Sequence, residues 1–306
     1  MRYGTLEAGG TKMVLSVGNE NNELLEQATL PTEAPDKTVP EMISWFRERD
    51  IVSLGIGTFG PVDLNPASET YGWITSTPKP GWRNCPLLPL MRDGLSVPAL
   101  IDTDVNAAAL AEWKLGAAKG LNSCMYVTVG TGVGAGLIVE GRMVHGLMHP
   151  ELGHMLLRPE ENDQTSVGFC PYHAGCVEGL CSGPAIEKRW GEKAYDLPPD
   201  HEAWKLEAAY LAQMCMNAVC AFSPEKIILG GGVMQQKHLF PLIRKKTLEL
   251  LNGYIQADAL LRNMDSYITE PGLGTRSGAI GALLLAREAY SQGGGTPDVP
   301  RQQTEQ

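Results

Sequence analysis

The sequence predicts an α/β protein built from two domains of one architecture. Three observations carry this reading. The 306 residues suffice for two domains of ordinary size. Short apolar strands alternate with stretches of helical period. An order of strand, glycine-rich turn, strand, strand opens the chain and recurs about 120 residues later, as a duplicated unit would.

In chain order, Tyr3 to Glu7 and Lys12 to Val17 read as strands joined by a glycine turn. Gly18-Asn19-Glu20-Asn21-Asn22 is a second turn, and Glu23 to Leu30 a third strand. Thr38 to Arg49 is helical by period, with Val39, Met42, Ile43 and Phe46 on one face. Ile51 to Ile56 is a short apolar strand, and residues 60 to 98, rich in Pro and Gly, read mostly as loop and short strands. Ala99 to Asp102 is a strand and Val105 to Ala118 an Ala-rich helix. The pattern then restarts with a strand from Cys124 to Val129, a turn from Gly130 to Gly136, and strands at Leu137 to Glu140 and Met143 to His145. Ala203 to Ala221 is a helix stopped by Ser223-Pro224, Lys226 to Leu229 is a buried strand, and Ser277 to Tyr290 is the last helix.

Composition narrows the function classes. Lys+Arg 25 against Asp+Glu 35 leaves a net charge of −10, and the densest basic run is Arg244-Lys245-Lys246. Nucleic-acid phosphates need a positive face, so such a partner is not expected. The longest apolar runs, such as Ala279 to Ala286, are far too short to span a bilayer. The N-terminal residues carry no apolar leader core, which makes the cytoplasm the expected location. Seven cysteines, an odd number in such a chain, argue against a disulfide framework.

Four groups of residues carry chemistry. Glu7-Ala8-Gly9-Gly10-Thr11-Lys12 places two glycines, a hydroxyl and an ammonium in a tight turn, as a phosphate site needs; read alone, it serves equally as a plain hairpin turn. Thr128 to Gly136 has glycine at every second position from Gly130, with Thr131 between Gly130 and Gly132. Glycine weakens a strand, so close approach of a ligand to the backbone is the compensation expected there. Asp102-Thr103-Asp104-Val105-Asn106 sets carboxylates at the C-terminal end of a strand, where α/β proteins take their ligands. Phosphoryl transfer wants one such carboxylate to orient and deprotonate the acceptor. The alternative is that Asp104 merely caps the helix that follows. Finally, Cys170-Pro171-Tyr172-His173-Ala174-Gly175-Cys176, with His154 upstream, offers two thiolates and two imidazoles in the donor set of a closed structural zinc site.

Three other patterns are discounted. Gly55-Ile56-Gly57-Thr58-Phe59-Gly60 fits a dinucleotide fingerprint but runs into Pro61 and Pro66 instead of opening a helix. The phosphate-loop pattern Gly-x4-Gly-Lys-Ser/Thr is absent. His149 and His154 are separated by four residues, not the three of zinc proteases.

Together, Glu7 to Lys12, Asp102 to Glu112, Glu151-Leu152-Gly153-His154, the Cys170 to Cys176 loop leading into Glu178, and Ile227 to Met234 occur in the order of the ROK family (repressor, ORF, kinase), which the chain resembles from about residue 3 to 288. Glu-Ala-Gly-Gly-Thr-Lys, Thr77-Pro78-Lys79-Pro80-Gly81-Trp82 and His149-Pro150-Glu151-x-Gly-His154 look most like its bacterial fructokinases. The resemblance implies a two-domain actin-like ATPase (ribonuclease H-like) fold with a cleft, and an ATP-dependent hexose kinase, most simply one that phosphorylates fructose at its 6-hydroxyl. Asp104 would be the general base. Asn106, Glu151, His154 and Glu178 would surround the sugar, with His154 also bound to zinc together with Cys170, His173 and Cys176. Gly9, Gly10, Thr11, Lys12, Gly130, Thr131 and Gly132 would hold the phosphates of Mg-ATP, and Gly230, Gly231 and Gly232 would pass close to the adenosine. Glu7 stands where most of the family has Asp and is associated there with magnesium.

The expected division is residues 1–117 and 118–276, with the helix at 277–290 packing back on the first domain, the zinc loop at 168–178 in the second, and a disordered tail over 291–306. The stretch from 60 to 84, with Gly60, Lys79 and Trp82, is the candidate for telling hexoses apart; its plain reading is a surface lysine and a packed tryptophan. Glucose, mannose, allose or N-acetylmannosamine are the alternative acceptors. The same family includes sugar-sensing repressors, whose DNA-binding segment would precede residue 7, and the acidic balance speaks against that class. Dimers are common in the family; the residues themselves carry no separate sign of one.

Overall fold

The computed structural model describes residues 1–161 and 163–293. Its elements are, in chain order, β1 (Tyr3–Ala8), β2 (Lys12–Gly18), β3 (Leu24–Pro31), α1 (Pro35–Arg47), β4 (Ser53–Thr58), α2 (Leu87–Leu95), β5 (Ala99–Thr103), α3 (Asp104–Leu115), β6 (Cys124–Val129), β7 (Val133–Val139), β8 (Arg142–Met143), α4 (Val177–Cys181), α5 (Gly183–Trp190), α6 (Ala203–Phe222), β9 (Ile227–Gly230), α7 (Leu239–Leu251), α8 (Asp258–Leu261), α9 (Met264–Tyr267), β10 (Ile268–Thr269) and α10 (Ser277–Gln292). The chain divides into two compact units. Unit 1 holds Met1–Ala108, Leu147–His149 and the stretch beginning at Gly278; unit 2 holds Ala109–Gly146 and Pro150–Ser277.

The sheet of unit 1 runs β3-β2-β1-β4-β5. β2 and β3 are antiparallel to their neighbours, whereas β4 and β5 run parallel to β1. β4 is buried along its whole length, as a strand covered on both faces must be. β3 is half-buried only at Leu24, Ala28 and Leu30, is exposed at its other positions and ends in a proline, as suits an edge. The register places Glu7, Gly57 and Asp102 side by side across three parallel strands. α10 lies directly on β4: a Cβ at Gly55 would fall 1.9 Å from the Ala282 carbonyl oxygen. That contact, and not a dinucleotide, accounts for the glycine at position 55.

Unit 2 repeats the plan. Its sheet runs β10-β9-β6-β7-β8, with β9 and β10 parallel to β6 on one side and β7 and β8 antiparallel on the other. Trp204 and Tyr210 of α6 and Phe240 of α7 fill its core.

Several elements differ from the sequence reading. α2 forms inside the stretch read as loop, because Leu87, Leu88 and Met91 share a buried face despite the prolines around them. β7 begins at Val133, so Gly134 and Gly136 lie in the strand opposite Thr128 and Tyr126. The third strand of the second half is only Arg142–Met143. The short α4 and α5 and the longer α7 were not anticipated. α10 extends through Gln292, so the first residues assigned to the tail are helical, and residues 294–306 lie outside the described residues. Among the described residues no helix is long and apolar enough to cross a membrane.

Candidate functional site

In unit 1 the parallel strands β1, β4 and β5 bring Glu7, Gly57 and the 102–106 turn to one sheet edge. Thr103 caps α3, its Oγ1 accepting the Asn106 N–H at 3.1 Å. The cap role proposed for Asp104 is therefore taken by its neighbour. Asp104 accepts the Val105 N–H at 2.9 Å, and burial pushes its carboxyl up to about 6. Asn106 is fully buried, and its side-chain amide donates to Asp102 Oδ1 at 2.7 Å. It thus fixes the turn that carries Asp104. Gly57 makes this possible, since a Cβ there would press within 3.3 Å of the Asp104 Cα.

Burial, then the charge of Asp104, push the Glu7 carboxyl up to about 7, against the opposing pull of Lys12. Its Oε1 lies 1.9 Å from where a Cβ on Gly278 would stand, so the longer side chain at position 7 fits only because α10 has glycine there. A carboxyl held this high is one that a divalent cation would return to its ionised form. The turn after β1 closes with the Gly9 N–H on the Lys12 carbonyl at 3.0 Å and is held by Thr32, just past β3, whose Oγ1 donates to Gly9 O at 2.7 Å. Gly10, Thr11 and Lys12 are exposed, and a Cβ on Gly10 would meet nothing within 4 Å. The turn thus offers open backbone, as phosphate contact requires.

Gly60 follows the end of β4, on the same edge. The buried His149 accepts the Val62 N–H through Nε2 at 3.1 Å and steadies that loop. Lys79 is half-buried, its N–H on Thr77 Oγ1 at 3.3 Å. Trp82 is fully buried, donates to Glu33 O at 2.8 Å and packs edge-on to Phe59, so it is a core residue.

In unit 2 the turn from Gly130 to Gly132 is closed by the Gly130 N–H on Gly132 O at 2.9 Å, and the N–H of Gly183 donates to Gly130 O at 2.8 Å. Glu178 accepts the Val133 N–H at 3.0 Å, and a Cβ on Gly132 would fall 2.6 Å from its Oε2. Gly231, at φ +92, presses against Val129, and Gly232 N lies 3.7 Å from the Cβ position of Gly130. The two glycine turns are therefore neighbours. Gly153 approaches Val133 so closely that a Cβ would stand 1.7 Å from its carbonyl oxygen, which docks the Glu151–His154 segment on β7.

His154, Cys170, His173 and Cys176 converge, their ligand atoms all within 4.8 Å of one another. His154 Nδ1 is 3.8 Å from Cys170 Sγ and 3.8 Å from Cys176 Sγ, and Cys170 Sγ is 3.8 Å from His173 Nδ1. Tetrahedral zinc with ordinary bond lengths sets nitrogen and sulfur about 3.5–3.8 Å apart, so the four fit that ion. Backbone N–H groups of Tyr172 and Gly179 point to the sulfurs of Cys170 and Cys176 at 3.4 Å and help to orient them. A buried carboxylate anchors the loop: Asp163 accepts from the Tyr210 hydroxyl at 2.7 Å, from Thr165 and from Arg189.

The structure brings together Glu7 with the Asp104 turn in unit 1, and the glycine turns with Glu178, and the four metal-type ligands, in unit 2. Sequence reasoning gave no role of their own to Thr103, Gly278 and His149. Thr103 was legible as a cap three residues before Asn106; the other two act through contacts distant in sequence.

Comparison with known proteins gives a consistent neighbourhood. The family model described as "ROK family" matches residues 3–289. A putative fructokinase of Bacillus subtilis is 48% identical, with 94% of this chain and 95% of that protein covered. A fructokinase of Pediococcus pentosaceus is 44% identical, with 94% and 99% covered. The crystal structure of a ROK hexokinase from Thermus thermophilus superposes with a TM-score of 0.76 at 26% identity, over 95% of this chain and all of that one.

Proposed function

This chain belongs to the ROK family, and from that premise we infer that it is an ATP-dependent fructokinase that transfers the γ-phosphoryl group of ATP to a hydroxyl of fructose. It has the actin-like ATPase fold of the ROK sugar kinases, and its class is phosphotransferase with an alcohol acceptor.

The observation that carries the mechanism is the state of Asp104. Its carboxyl is not spent on the helix cap and is held up to about 6, so at neutral pH it is ionised yet basic enough to take a proton. Asp104 would accept the proton of the attacking hydroxyl, the 6-hydroxyl of fructose, as that oxygen bonds to phosphorus and the bond to the leaving ADP oxygen breaks. The turn at Gly9 to Lys12 in unit 1, and that at Gly130, Thr131 and Gly132 in unit 2, would donate backbone N–H groups to phosphate oxygens. Gly230, Gly231 and Gly232 would run along the adenosine. Mg2+ arriving with ATP would neutralise phosphate charge, and Glu7 would be the carboxylate associated with it.

The sugar would be oriented by Glu151, His154 and Glu178, with Gly60 and Lys79 as further contacts. Asn106 is better read as support for the Asp104 turn than as a sugar ligand, because its amide is bound to Asp102. Zinc held by His154, Cys170, His173 and Cys176 would be structural. With Nδ1 of His154 directed at the sulfurs, Nε2 remains for a sugar hydroxyl, and the metal would then set the angle of a substrate contact. Cytoplasmic residence remains the expectation drawn from the N-terminal residues, and a homodimer is a proposal that rests on the family resemblance alone.

A coupled ADP-release assay across fructose, glucose, mannose, allose and N-acetylmannosamine tests the reading. Fructose should give the highest kcat/KM. Equal or higher turnover of another hexose would move the assignment to that sugar, and no turnover with any would end it.

A further inference from the structure

We propose that the loop from Glu270 to Arg276 is a wall of the adenosine subsite and that Glu112, which need not touch the nucleotide, is the residue that positions it. The inference rests on the kinase reading above and deepens its nucleotide half.

β6, β9 and β10 are parallel, so the loops that follow them leave the same edge of the unit 2 sheet. That edge is where α/β proteins bind ligands. The first two of these loops are the glycine turns at 130–132 and 230–232. The third, 270–276, touches the second: Pro271 Cγ lies 3.1 Å from where a Cβ on Gly230 would be. Both of these walls are bare. A Cβ on Gly232, or on Gly274, would meet nothing within 4 Å. Two glycine-lined backbones beside open space suit a flat purine better than a branched group.

A loop with glycine at 272 and 274 has little stiffness of its own. Glu112, fully buried on α3, supplies it. Oε2 accepts the N–H groups of Ala117 at 2.7 Å and Gly272 at 2.9 Å; Oε1 accepts the Leu273 N–H at 3.0 Å and the Ser277 hydroxyl at 2.7 Å. Three of the four donors belong to the loop or to the residue that ends it. Hydrogen bonds to an ionised carboxylate are roughly twice as strong as neutral ones. The neighbouring glycines keep this clip closed. A Cβ on Gly116 would stand 2.1 Å from Glu112 Oε2, and one on Gly272 would stand 2.6 Å from the Ala117 nitrogen.

The experiment is calorimetric titration of Mg-ADP into wild type, Glu112→Gln and Ser277→Ala, with steady-state KM for ATP and for fructose measured in parallel. Glu112→Gln turns an NH2 toward N–H donors. Its Kd for Mg-ADP and KM for ATP should rise about tenfold or more, the equivalent of one lost charge-assisted bond, while KM for fructose stays within about twofold. Ser277→Ala removes one donor only; it should show the same split at smaller size with an unchanged melting temperature, and it carries the test if Glu112→Gln does not fold. Unchanged Mg-ADP affinity in the folded variants, or KM for ATP and fructose rising together, overturns the proposal while leaving the kinase reading intact. A wild-type protein that binds no Mg-ADP overturns both.

Discussion

Thr103 accepts the Asn106 N–H at 3.1 Å, and this single bond decides what Asp104 is for. A helix that opens with Thr-Asp offers two side chains able to cap it. With Thr103 in the role, Asp104 stands one residue further on, at the first position of α3 and level with the ends of β1 and β4. Glu7 enters the same neighbourhood from β1, and after burial the charge of Asp104 makes the Glu7 carboxyl harder to ionise.

Asp104→Asn keeps shape and removes basicity. Turnover should fall by about 10²- to 10⁴-fold, the usual share of a general base, with affinities for fructose and Mg-ATP little changed. Single-turnover rates with equilibrium binding of each substrate check this. Turnover within a few-fold of wild type would remove Asp104 from the role.

The pH profile follows from the same group. Since Asp104 must be ionised to act and its carboxyl sits near 6, kcat/KM should level off above that pH and fall with unit slope below it. A profile still flat down to pH 5, with the protein folded, contradicts the assignment.

Glu7 makes a prediction about stability. Its folded-state value is about 7 and its ordinary value 4.5, so between these the folded protein holds a proton that the unfolded chain has released. Stability from this group is therefore full below pH 4.5 and is lost as pH rises toward 7. Glu7→Gln, which cannot ionise, should melt a few degrees above wild type at pH 8, with the gap closing toward pH 5, while activity drops. A gap that is constant with pH, measured by calorimetry, defeats the explanation.

The fold was legible where local pattern and topology agree. The first glycine turn, the Asp104 strand end and the Cys/His loop lie where strand period and turn chemistry placed them, the second turn closes earlier than read because β7 begins at Val133, and the repeat seen in the sequence reappears as two sheets of one plan. α2 was not legible, because prolines at 86 and 89 hide a buried face that only tertiary packing reveals. Gly278 was not legible either. It looks like an ordinary glycine at a helix start, and its meaning lies in the Glu7 carboxylate, which no local window contains. The Glu112 clip escaped for the same reason, since its partners at 272, 273 and 277 are far along the chain.

The cysteine loop yields the last prediction. Wild-type protein should carry about one zinc per chain, because two thiols and two imidazoles at these separations match a four-coordinate site. Cys176→Ser is an informative change. Cys176 also caps α4 through the Gly179 N–H, and serine is a good helix cap, so the helix keeps its start while the metal loses a thiolate. Zinc content should fall, the melting temperature should drop, and KM for fructose should rise as His154 loses its fixed angle, with KM for ATP the less affected. Metal analysis of wild type and variant, paired with both KM values, reads this directly. A fully active wild-type preparation free of zinc would sink the metal assignment, and a variant that loses zinc with KM for fructose unchanged would cut the link between metal and sugar.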